Sequence, residues 1–124
     1  MRRFLFVFSV LLLGACSFIF GNFKEIGNEE FEQLSEQNET VILDVRTLSE
    51  YSEGHIPNAL NIDYLDEGFE HEISLLDTSA TYLVYCRSGS RSYNACSKMD
   101  KAGFKHIYSL KNGFLGWDGE KVND

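Results

Sequence analysis

The chain has 124 residues, 44% of them hydrophobic and 14% aromatic, and a formal net charge of −8. That length gives room for one domain with its own core. The acidic balance excludes a surface that binds nucleic acid by neutralising phosphates, and a single proline without repeats or low-complexity tracts excludes a linker-rich or disordered chain.

Arg2 and Arg3 precede a ten-residue, predominantly apolar run from Phe4 to Leu13. This is the layout of a signal peptide. Leu13-Gly14-Ala15-Cys16 follows, and small residues before a cysteine at this place resemble the lipobox of bacterial lipoproteins. The resemblance implies cleavage before Cys16, lipidation of Cys16, and export to the cell envelope, with the protein held to a membrane by its lipid and facing the periplasm. Residues 1–15 are then a signal peptide, 16–22 a lipidated N-terminus and tether, and 23–124 the folded domain. The alternative is an uncleaved anchor from Phe4 to Phe20, whose 17 residues sit at the short limit for a spanning helix. Without residues 1–15, nine basic and nineteen acidic residues remain, a net charge of −10. Such a surface is solvated and is not drawn to anionic lipid, so attachment falls to the lipid.

Phe23 to Ile26 reads as a small strand, and Asn28 is placed to cap a helix through about Glu36 with Phe31 and Leu34 inward. Thr40 to Val45 and Tyr82 to Tyr85 are the clearest strands, short apolar runs of the kind buried parallel sheets use. Between them lie a short helix from Ser49 to Glu53 stopped at Gly54, a turn at His55–Asn58, a brief strand at Ala59–Ile62, and a helix from Asp66 to Leu76. The last rests on Phe69, Ile73 and Leu76 at helical spacing. Ser90 to Ala102 is a further helix ended by Gly103, and His106 to Leu110 is the final strand, followed by Asn112-Gly113 and a segment holding Trp117. Alternating strands and helices predict an α/β fold, a mainly parallel sheet of about five strands with helices on both faces.

The chemistry concentrates at Cys86-Arg87-Ser88-Gly89-Ser90-Arg91-Ser92. Cys86 ends a strand and stands just before a helix N-terminus, where free N–H groups and the helix dipole favour negative charge. With two guanidinium groups nearby, the thiol is expected to ionise near neutral pH. In parallel sheets, ligands bind beyond the carboxyl ends of the strands, where Cys86 lies. Cys96 borders the apolar stripe of Ala95, Met99 and Ala102 and reads as core, neither a redox partner nor bridged to Cys86. His55, His71 and His106 have no metal-ligand spacing, and no metal or cofactor is implied. His55 reads as a local hydrogen-bonding residue, His71 as solvent-facing, and Trp117 as packing.

Leu43-Asp44-Val45-Arg46, Gly54-His55-Ile56-Pro57-Asn58-Ala59, Asn61-Ile62, the Cys86–Ser92 loop, Ala102-Gly103-Phe104, and Asn112-Gly113 with Trp117 stand in the order and spacing of a known family. Over residues 23–117 the chain resembles a single-domain rhodanese, a sulfurtransferase. Asn58 and Asn112 replace glycines common in that family, and asparagine tolerates a left-handed backbone.

The resemblance implies that the Cys86 thiolate takes the outer sulfur of a small anionic donor such as thiosulfate or polysulfide, or of a persulfide. The Cys86 persulfide then gives that sulfur to a thiol, a protein acceptor or cyanide, in two half-reactions. Arg87, Ser88, Gly89, Ser90, Arg91 and Ser92 would form the anion-holding loop. Arg91 is expected to help bind the donor, and Arg87 either does the same or is simply exposed. Asp44 and Arg46 are expected to form an ion pair bracing the loop, with donor contact by Arg46 as the alternative.

Two rival functions remain from sequence. Phosphatases or arsenate reductases of the same fold place five residues between Cys and Arg, where this chain has four. A non-catalytic or carrier module in the envelope is the other, since fold does not settle function.

Overall fold

Period-two burial along the central strands organises the structure. The computed structural model describes residues 21–124. Five parallel strands, β1 (Phe23–Ile26), β2 (Thr40–Asp44), β3 (Leu60–Asn61), β4 (Thr81–Tyr85) and β5 (His106–Leu110), form one sheet in the order β1-β5-β4-β2-β3. Central β4 is buried on both sides. Tyr82, Val84 and, just beyond the strand, Cys86 face one core; Leu83 and Tyr85 face the other. A strand covered on both faces has no polar side, which is why it reads as an unbroken apolar run.

The first core lies under α3 (Phe69–Ser74) and α4 (Ser90–Lys101), which contribute Phe69, Ile73, Ala95, Cys96 and Met99. The second lies under α1 (Asn28–Ser35) and α2 (Leu48–Glu53), with Phe31, Trp117 and the partly buried Tyr51 and Phe114. Helices this short do not hold themselves. Phe31 is fully buried edge-on to Trp117 and Tyr85, a burial that contributes about 2–3 kcal/mol. Trp117 is the packing residue expected.

Three local expectations change. Asn28 does not cap α1: Gly27 is the N-cap, and the Asn28 side-chain amide instead donates to the Gly116 carbonyl at 2.7 Å. The Asp66–Leu76 helix shrinks to six residues, because the Asp66 carboxylate accepts from Gly68 N–H in a turn that precedes it. Asn58 does adopt a left-handed φ of 66°, but Asn112 does not, so that tolerance explains only the first replacement.

All strand carboxyl ends lie at one end of the sheet, and the Cys86 loop, the Arg46 turn and the Gly113 turn converge there. Among the described residues no helix is long and apolar enough to cross a membrane. The signal peptide, its lipobox and Cys16 lie outside the described residues.

Candidate active site

Cys86 follows β4 directly, and its sulfur sits at the floor of a loop formed by residues 87–89 and the first turn of α4. Gly89 N–H donates to Sγ at 3.0 Å, and the Ser92 hydroxyl lies 3.6 Å away. Gly89 is the α4 N-cap with φ of 111°, and a Cβ there would meet the Lys111 carbonyl oxygen at 2.5 Å. Only glycine lets the chain turn its N–H onto the sulfur at this approach. The loop is held from the other side by Phe114 N–H on the Cys86 carbonyl (2.8 Å) and Leu115 N–H on the Arg87 carbonyl (3.0 Å). Gly113 makes this possible. Its φ is 60°, and a Cβ would fall on the backbone of Arg87 and Ser88.

Burial pushes the Cys86 thiol up, but hydrogen bonds from the Ser92 hydroxyl and from the N–H groups of Ser92, Gly89 and Ser88 outweigh it, and the net direction is down. The direction agrees with the sequence reading; the cause is different. Arg87 is exposed, and Arg91 is bound elsewhere, so the loop's own donors replace the two guanidinium groups as the main influence. Cys86 is also only 1% exposed.

Arg91 gives Glu50 of α2 a two-pronged ion pair, at 2.7 and 2.9 Å. Glu50 is held down at about 2 chiefly by this partner, against burial and with help from Thr47. The sequence reading passed over Glu50, one acid among nineteen. Its local signal was Thr47-Leu48-Ser49-Glu50, which forms a reciprocal capping box at the start of α2. The pairing with Arg91, 41 residues away, is tertiary and leaves no local trace.

Asp44 and Arg46 are buried together. Arg46 Nη2 donates to Asp44 Oδ2 and to the Gly54 carbonyl, both at 2.7 Å, and Nε reaches the carboxylate at 3.1 Å. The guanidinium lies over the Phe114 ring at 4.2 Å. Burial works against its charge, but Asp44 outweighs that and the Arg46 pKa moves up. The pair therefore reaches the Cys86 loop through Phe114, whose N–H holds the Cys86 carbonyl. A cavity of about 250 Å³ opens beside it, lined by Arg46, Glu50, Arg87, Phe114 and Leu115 among others.

Of the loop residues, Arg87, Ser88 and Ser90 are exposed, Gly89 and Ser92 buried, and Arg91 partly buried. Cys86 and Cys96 are both free and buried, and burial pushes the Cys96 thiol up. His55 is buried, stacked on Tyr51, with Nδ1 on the Tyr51 carbonyl at 2.8 Å and Nε2 on Asp124 at 3.2 Å. His71 and His106 are exposed.

The match with known proteins follows this geometry. A family model described as a rhodanese-like domain matches residues 27–120. A sulfurtransferase from Allochromatium vinosum is 31% identical over 94 residues, 75% of this chain and 86% of that one. The thiosulfate sulfurtransferase GlpE of Shewanella oneidensis is 31% identical over 96 residues, 77% of this chain and 93% of that one. In fold, the chain is similar to a rhodanese-related protein from Thermoplasma volcanium, with a TM-score of 0.73 at 23% identity over 82% of this chain and 99% of the other. The parallel sheet, the loop at its carboxyl end and these matches place the chain in the rhodanese-like family, as a single rhodanese-like domain homologous to bacterial sulfurtransferases.

Proposed function

We propose that this protein transfers sulfane sulfur through a persulfide on Cys86. The observation that carries the reading is the Gly89 N–H aimed at Sγ from 3.0 Å, on a loop whose donors favour the sulfur anion. The Cys86 thiolate attacks the outer sulfur of thiosulfate. The sulfur–sulfur bond breaks, sulfite leaves with the electron pair, and Cys86 becomes a persulfide. An acceptor thiolate then attacks the outer sulfur and the Cys86 thiolate leaves. Each half-reaction begins and ends with one anionic sulfur on the loop, so the same N–H donors serve both.

The exposed Arg87, Ser88 and Ser90 are the way in for a small anion, and Arg87 is the cation free to meet it. Arg91 uses two of its five N–H donors on Glu50. It acts first as a strut between α2 and α4, and offers the donor its remaining N–H groups. Asp44 and Arg46 brace Phe114 and through it the loop. The lipobox-like sequence Leu13-Gly14-Ala15-Cys16 supports an exported protein lipid-anchored in the cell envelope.

The test is intact-mass spectrometry of the protein after thiosulfate treatment, beside Cys86→Ser and Cys96→Ser. A gain of about one sulfur (roughly 32 Da) that cyanide removes and that only Cys86→Ser abolishes is expected for covalent sulfur transfer. No adduct from thiosulfate or polysulfide overturns the reading.

A further inference from the structure

Two serines are wholly buried in this domain, and they touch each other. Ser92 of α4 and Ser109 of β5 are each 0% exposed, with hydroxyl oxygens 2.9 Å apart. A buried hydroxyl without a partner is costly, and an alanine at 109 would fit the same buried space with no polar group to satisfy. The serine therefore calls for a reason beyond packing.

Its partner supplies one. Ser92, which meets Ser109 on one side, has its oxygen 3.6 Å from Cys86 Sγ and 3.1 Å from the Gly89 carbonyl. The side chains thus run Ser109, Ser92, Cys86 in an unbroken buried line. Ser92 has one proton for three acceptors. When Cys86 is a thiol, its S–H points at Ser92 and the Ser92 proton rests on Gly89. When Cys86 is an anion, the Ser92 proton turns to the sulfur and Ser109 donates to Ser92. Gly89 loses nothing essential, because its carbonyl also accepts from Tyr93 N–H at 3.1 Å.

We propose that Ser109 is a positioning residue for Cys86, donating to Ser92 in a short chain that ends on the sulfur and steadies its negative forms. This rests on the reading of Cys86 as the sulfur-accepting thiolate. Hydrogen bonds in series polarise one another, so the link farthest from the sulfur still acts on it. The titratable groups facing Cys86 are Arg91 and Cys96, both on α4. Arg91 also answers to Glu50 on α2 and to Asp63 behind β3, and Cys96 to Glu25 on β1. None of these is changed by replacing Ser109, so the substitution isolates the chain.

The experiment follows alkylation of Cys86 by iodoacetamide, read on its own peptide by mass spectrometry, across the pH range around neutrality. The full chain carries Ser109→Ala, Ser109→Thr or Ser92→Ala. Thiolate fraction sets the rate. Ser109→Ala is expected to move the profile to higher pH, slowing alkylation on its rising limb roughly three- to ten-fold, with the plateau unchanged. Ser92→Ala moves it the same way, and Ser109→Thr, which keeps a donor, restores the parent profile. A Ser109→Ala profile that superimposes on the parent overturns the proposal. Should Ser109→Ala not fold, an unshifted Ser92→Ala profile does the same. Failure of the parent to take up sulfur from thiosulfate would instead overturn the sulfur-transfer reading, and alkylation does not depend on that step.

Discussion

Glu50→Gln separates the charge of the Glu50–Arg91 pair from everything else Glu50 does. Glutamine keeps an oxygen for the Thr47 backbone and hydroxyl, so the capping box survives and only the ion pair weakens. Glu50 is held at about 2, against 4.5 when unperturbed. At about 1.4 kcal/mol per pKa unit the whole shift corresponds to about 3 kcal/mol. Both side chains are partly exposed, 22% for Arg91 and 27% for Glu50, and solvent screening brings the expected effect to about 1–2 kcal/mol. The sign follows from the depressed pKa. The contribution is complete above 4.5 and disappears as the pH falls from there toward 2. Urea unfolding of both proteins, at neutral pH and at steps through that window, checks it. The variant is expected to be less stable at neutral pH, the gap closing as the medium becomes acidic and narrowing in high salt. A gap that persists unchanged near the bottom of the window, or no gap at neutral pH, refutes the reasoning.

Arg46→Ala leaves the Asp44 carboxylate buried without its cation and is expected to cost about 3–5 kcal/mol, seen as a large drop in Tm. An unchanged Tm with a raised KM for thiosulfate would transfer Arg46 from bracing to donor contact. Gly113→Ala forces a side chain onto the Arg87 carbonyl at a left-handed backbone position; displacing the loop is expected to slow sulfur uptake on the order of 10²-fold in the fraction that folds, measured by single-turnover mass spectrometry. Cys16→Ser is expected to abolish incorporation of a labelled fatty acid in a bacterial host, and incorporation that survives the change refutes lipidation at that residue.

Strands β2 and β4 were legible in sequence because each carries a run of apolar residues, Val41–Leu43 and Tyr82–Tyr85, on a sheet covered on both faces. The Cys86 loop was legible because strand, cysteine, glycine and helix follow one another without a gap. The Asp66–Leu76 helix was overread: the Asp66–Gly68 turn delays its start to Phe69, and it ends at Ser74, before the last apolar position at Leu76. What could not be read were partners brought together by the fold. Asn28 looks like a cap until Gly116, 88 residues on, offers its carbonyl. Glu50 looks like a solvated helix acid until α2 lies against Arg91. Ser109 is one small residue in a strand until Ser92 comes down on it from α4.

The parallel course of β1 gives the domain a polarity. Phe23 pairs with Ile107 near the amino end of β5, whereas Cys86 leaves β4 at the opposite, carboxyl end. The five residues of a central strand separate the two ends by about 15 Å. Whatever holds the chain upstream of Phe23 is therefore joined to the far pole of the domain. Any fixed attachment at that pole leaves the Cys86 loop facing away from it, at the other end of the sheet.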